Sequence, residues 1–98
     1  MFDVLWTQSA LDDLKDIAAY VAEQSSIADA ESLYRRLKSS THRLSEFPRL
    51  YEESPEYGDG VRRISAFGHH VLHEVDDAAQ IVKVLAVVGQ RQQARKIR

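Results

Sequence analysis

The chain has 98 residues, 44% of them hydrophobic and 29% charged, no cysteine, and a formal net charge of −2. This is the composition of one soluble domain spanning residues 1–98, and it excludes a disulfide framework, a thiolate metal site and a thiol nucleophile. No run approaches the ~20 apolar residues of a membrane span, and Asp3 and Gln8 interrupt the N-terminus too early for a signal peptide. The absence of cysteine fits a reducing compartment, and a cytoplasmic location is the expectation.

The charge is unevenly spread. Residues 1–60 hold 12 acids and 6 bases, whereas residues 61–98 hold 3 acids and 7 bases. Two readings follow. Either this is scatter plus a basic tail, or the second half faces something anionic.

In chain order, Phe2, Val4 and Trp6 alternate with Asp3, Leu5 and Thr7, which predicts a short strand at a sheet edge. Ser9 with Asp12 three residues later resembles a capping box, and Thr7 is a rival cap. Ala10, Leu14, Ile17, Ala18 and Val21 then recur at steps of three and four, an apolar stripe about three turns long. Ser26 and Asp29 repeat the cap pattern. Ala30, Leu33, Leu37, Thr41 and Leu44 form a second stripe, predicting a helix that ends before Pro48. The short connection makes the two helices antiparallel neighbours.

Residues 48–60 hold both prolines, two glycines and four acids, the composition of an acidic surface loop. Val61–Phe67, His69–Val75 and Gln80–Val88 then read as three strands. Links this short demand antiparallel pairing. The last strand, Ile81 to Val88, is apolar on both faces. Either neighbouring side chains shield its second face, or a partner covers it. Gln90–Arg98 is a basic tail. The expected class is therefore α+β, in the order β-α-α-β-β-β, with a helical hairpin packed on a small antiparallel sheet.

Signals of catalysis are weak. On a strand, His69 and His73 point with Val71 and Val75 toward the core, and His70 points the other way with Leu72 and Glu74. Two strand histidines four residues apart lie ~13 Å from one another, too far to share an ion, so no metal site is expected. His70, close to Arg62 or Arg63 on the preceding strand, is either a solvated residue or a proton-transfer group. There is no phosphate loop or nucleophile elbow. Asp12, Asp13 and Asp16 read as dipole complements in the first turns of a helix. No cofactor is expected.

Several pieces in order resemble the ParE/RelE superfamily of bacterial toxins. They are Trp6-Thr7-x-x-Ala10-x-x-Asp13-Leu14-x-x-Ile17-x-x-Tyr20-Val21, then Leu44-x-x-x-Pro48, Val61-Arg62-Arg63-Ile64, Gly68 through Val75, and an apolar strand running into Gly89-Gln90-Arg91. The resemblance spans residues 2 to about 93. It departs at His69 and His73, where relatives commonly carry tyrosine.

The resemblance implies one of two activities. In the ribosome-dependent mRNA endonuclease branch, basic residues and one aromatic do the chemistry. Those positions fall here on Val61, Arg63, His70, Arg91 and Ile97, so only Arg63 and Arg91 keep a cation. Loss of that charge, and a near-neutral pI of about 6.0, tilt the reading toward the ParE-like branch. Such toxins bind DNA gyrase, trap its cleaved-DNA state and need no catalytic residue. A cognate ParD-like antitoxin neutralises them. The expected target-facing cations are Arg62, Arg63, Arg91 and Arg95, and the expected antitoxin contacts are Ile81, Lys83, Leu85, Val87, Arg35 and Arg36. In the nuclease alternative, Arg63, His70 and Arg91 would carry the chemistry on the ribosome. A third reading is an inactive relative that only binds its antitoxin.

Overall fold

The computed structural model describes residues 1–98. Strands β1 (Asp3–Trp6), β2 (Arg62–Ala66), β3 (His69–Asp76) and β4 (Ile81–Gly89) form one sheet in the order β1-β4-β3-β2. Helices α1 (Gln8–Gln24) and α2 (Ile27–Ser39) pack against one another, and α1 lies against β4. This is the expected α+β architecture, with β1 at an edge and β4 inside.

The sheet is mixed rather than purely antiparallel. The meander β2-β3-β4 is antiparallel, but β1 runs parallel to β4, with Val4 beside Val82 and Trp6 beside Val84. Tight turns force antiparallel neighbours only between strands they join. The α1–α2 hairpin separates β1 from the meander and leaves its direction free.

The Trp6–Leu14 motif is a docking device. Thr7, not Ser9, caps α1. Its Oγ1 accepts from the Ala10 N–H at 3.2 Å and donates to the Val84 carbonyl at 2.8 Å. One side chain thus ends β1, starts α1 and ties both to β4. Ala10 is fully buried, which its small size permits at this close approach. Trp6 Nε1 donates to Thr41 Oγ1 at 3.3 Å, fixing the end of α2 over the same strand.

The second helix stops short of Leu44. Ser40 Oγ donates to the Leu37 carbonyl and Thr41 Oγ1 to the Lys38 carbonyl, at 2.6 and 3.0 Å. Hydroxyls that occupy helical carbonyls compete with helix continuation. The chain passes instead into a 3₁₀ turn over His42–Ser45, which still buries Leu44.

Between helices and sheet lies a core of nine buried residues, among them Leu14, Leu37, Leu44, Val71, Val82, Val84 and Val87. Ile17, Val21 and Leu33, expected to be buried, are only partly so. They lie on the flank of a hairpin that covers one face of a small sheet and is itself uncovered outside.

Candidate functional site

The second face of the sheet has its own apolar cluster, formed by Tyr57, Val61, Leu72 and Ala86, with Leu85, Val88, Ala94 and Ile97 packed around it. A bulge makes it. Leu72 pairs with Ala86 and His73 with Val84, so Leu85 has no partner on β3. One extra residue reverses every later side chain on β4. Val82 and Val84 face the helices, Ala86 faces away, and Val87 faces the helices again. The apolar run Ile81–Val88 therefore fills two cores, and much of its second face is shielded by the chain itself.

The bulge divides the expected set Ile81, Lys83, Leu85 and Val87 between the two faces. Val87 is buried in the helix-side core. Ile81, Lys83 and Leu85 stay partly accessible, and Ile81 and Lys83 pair with Asp3 and the exposed Leu5 of β1.

The tail closes the second face. Gln92 turns it back, its Oε1 accepting from the Gly89 N–H at 2.7 Å. The Ile97 N–H donates to the Tyr57 carbonyl at 2.8 Å, and Arg98 forms an ion pair with Glu74. Gly58 has φ +128°, and a Cβ there would lie 2.8 Å from the Arg98 carbonyl oxygen. The close approach requires glycine on both counts. Tyr57 comes from the acidic loop, through a 3₁₀ turn at Pro55–Tyr57. Sequence reading missed it. A tyrosine directly before a glycine in a polar loop was the available signal.

The cations do not form one patch. Arg63 pairs opposite Leu72 on the tail side and approaches Glu52 at 3.7 Å. Arg62 points to the helix side, where it donates to the Tyr51 carbonyl at 2.7 Å and approaches Glu53 at 3.9 Å. Consecutive strand residues point to opposite faces, so the expected cations Arg62 and Arg63 lie on different sides of the sheet. Arg91 is exposed beside Gly68, Gly89 and Gln92. Arg95 lines a small hollow with Tyr57, Val88, Gln92 and Ile97. Arg35 and Arg36, adjacent on α2, also diverge. Arg35 edges the groove between the helices and Arg36 lies over the Phe67 ring.

His70 sits near Arg63 on the tail side. Its Nδ1 is 2.9 Å from Ser65 Oγ, and its ring stands edge-on to Tyr57. Burial first, then the Arg63 charge, hold its pKa below the usual histidine value, with Glu56 working the other way. His73 faces the helix-side core as expected. It is fully buried with no hydrogen bond to either ring nitrogen, and it meets Tyr51 edge-on. Burial pushes its pKa down to about 4.

Asp13 is not a simple dipole complement. Beyond Trp6, β1 leaves β4, and the freed Val87 N–H donates to Asp13 Oδ2 at 2.9 Å. Burial raises the Asp13 pKa, and the bond from Val87 opposes the rise. No three His, Asp or Glu side chains converge as a metal site would require, and no helix is long and apolar enough to cross a membrane.

This arrangement, a helical hairpin on a mixed four-stranded sheet, is the fold of RelE- and ParE-type toxins. A chain of the chromosomal ParDE TA system from P. aeruginosa superposes with TM-score 0.78 at 16% identity, covering 91% of this chain and 96% of its own. The RelBE2 complex of Mycobacterium tuberculosis contains a chain matching at TM-score 0.68 and 18% identity, over 91% and 98%. The E. coli RelBE complex contains another at 0.63 and 18%, over 94% and 100%. A search of curated protein sequences returned no significant match. The family model for the ParE toxin of the type II toxin–antitoxin system parDE matches residues 4–94, and the chain belongs to that family.

Proposed function

We propose that the protein acts as a ParE-like toxin on DNA gyrase, by binding rather than by cutting RNA, and that a cognate ParD-like antitoxin neutralises it. The observation that carries this reading is the state of the five positions where the nuclease branch keeps its chemistry. Val61 is fully buried, and Ile97 is packed on Tyr57. His70 is tied to Ser65 and shifted toward its neutral form at neutral pH. Arg63 approaches Glu52. Only Arg91 projects freely into solvent as a cation. A transition state that accumulates negative charge on phosphate finds too few donors here. Arg91 and Arg95, beside the tail, are the cations assigned to the target.

The antitoxin reading rests on two partly apolar surfaces. One is the groove between α1 and α2, lined by Ala18, Ala22, Ile27 and Tyr34, with Ile27 70% exposed. The other is the open end of the second sheet face at Leu5, Ile81 and Leu85. An amphipathic segment would lay its apolar side on these. Hydrogen exchange with and without antitoxin should show added protection at one or both.

The activity test uses purified protein, gyrase and supercoiled plasmid. Linear DNA should accumulate only with gyrase and toxin together, while mRNA on ribosomes stays whole. Ribosome-dependent cuts without any effect on gyrase would replace this reading with the nuclease one.

A further inference from the structure

Residues 34–45 contain Arg35, Arg36, Lys38, His42 and Arg43 and no acid. All five are exposed. None joins an ion pair with a carboxylate, since the ion pairs of the molecule use Arg49, Arg62, Arg63 and Arg98. The most concentrated uncompensated positive charge therefore lies on α2 and the turn after it, not on the strand half. Complementing the helix dipole calls for charge in the last turn only, and Arg43 lies beyond the helix.

Three of these cations are held in place. Arg36 lies 5.6 Å from the Phe67 ring centre, Lys38 5.6 Å from Trp6 and Arg43 5.7 Å from Phe47. Phe67 and Phe47 are themselves half exposed, and Phe67 takes φ +52° at the tip of the β2–β3 hairpin. A cation resting on an aromatic face loses less freedom when it later meets an anion. Arg36 and Arg43 span about 10 Å along the helix direction. Lys38 and Arg36 stand at the two edges of the exposed side of α2, about 160° apart across it, with Arg35 between them.

We propose that this face of α2 and its 3₁₀ extension binds the phosphate backbone of duplex DNA without reading sequence. The duplex is favoured over a single strand by a specific feature. Single strands bind through bases stacked on open aromatic faces. Here Trp6, Phe67 and Phe47 each already carry a cation, so a regularly charged backbone is the better complement. An exposed, rigid helix presents its cations to such a backbone, which carries one charge per ~1.7 Å of axis. This proposal does not depend on the gyrase reading.

The test is fluorescence anisotropy of the full chain with a labelled random-sequence duplex between about 50 and 200 mM salt. Four cations predict a slope of log affinity on log salt of about −3 to −4. Arg36→Gln/Arg43→Gln should make the slope about two units shallower. Lys15→Gln/Arg49→Gln, which removes equal charge elsewhere, should leave it unchanged. If the first double variant melts early, Arg35→Gln/Lys38→Gln carries the same prediction. No binding at low salt overturns the proposal, as does equal loss in both double variants. So does tighter binding of a single-stranded RNA of equal length, or displacement of the duplex by polyglutamate of equal charge.

Discussion

The two faces of the sheet are built differently. The helix side is closed by nine buried residues and by hydrogen bonds that cross between elements, Thr7 to Val84, Trp6 to Thr41 and Asp13 to Val87. The tail side buries four residues and is closed by one backbone hydrogen bond and one ion pair from the last two residues. Burial of apolar surface scales with the area covered, so the helix side holds the fold together. The tail side is a thin cover over a sheet whose exposed rim carries Arg63, His70, Arg91 and Arg95. One chain thus separates the face that holds the fold together from the face that carries these side chains.

The sharpest way to break that contrast is a pair of core truncations. Leu37→Ala should lower unfolding free energy by ~2–5 kcal/mol, because Leu37 is fully buried among helix-side neighbours. Ile97→Ala should cost about 1 kcal/mol, because its site is partly open and can collapse. Urea midpoints on both variants measure the difference, and equal losses would erase it.

Acid should act through the helix side. The His73 pKa is lowered from 6.5 to about 4 by burial, so the folded state excludes a proton that the unfolded chain binds. The stability this contributes is full above pH 6.5 and is lost as pH falls toward 4, by about 3 kcal/mol in all. Asp13 has the opposite sign, since its raised pKa lets the fold recover stability at low pH. Urea titrations between pH 7 and 4 should show the net fall, and His73→Leu should flatten it.

Asp13→Ala leaves the Val87 N–H without a partner and should cost ~1–3 kcal/mol. Asp13→Asn keeps an acceptor oxygen and should cost under ~1 kcal/mol. Thermal melts of the two variants separate the acceptor from the charge. Similar losses in both would show that the carboxylate charge itself matters.

The smallest expected effect on stability falls on the rim. Arg91→Ala should leave the melting curve unchanged within about 0.5 kcal/mol, because Arg91 is exposed and forms no ion pair. It should weaken gyrase inhibition several-fold while leaving antitoxin affinity nearly intact, as truncation of an exposed charge does for an anionic partner. Equal loss of both activities would place target and antitoxin on one surface.

Periodicity alone determined the two helices, the three-strand meander, the edge position of β1 and the inward turn of His73, because local patterns of three to four and of two residues are legible one element at a time. The ordered motifs likewise pointed to the toxin superfamily. Tertiary structure alone decided the rest. The direction of β1 depends on a hairpin that returns the chain, and no local pattern encodes it. Val87 joins the helix-side core because Leu85 has no partner across the ladder, a fact of pairing between strands. Asp13 became a structural acceptor because β1 peels away from β4 at the place its carboxylate can reach. Tyr57 and Ile97, distant in sequence and separately unremarkable, meet over a sheet face that each would leave open without the other. Long-range contacts fix such placements, and their energies belong to pairs of residues rather than to any single run of sequence.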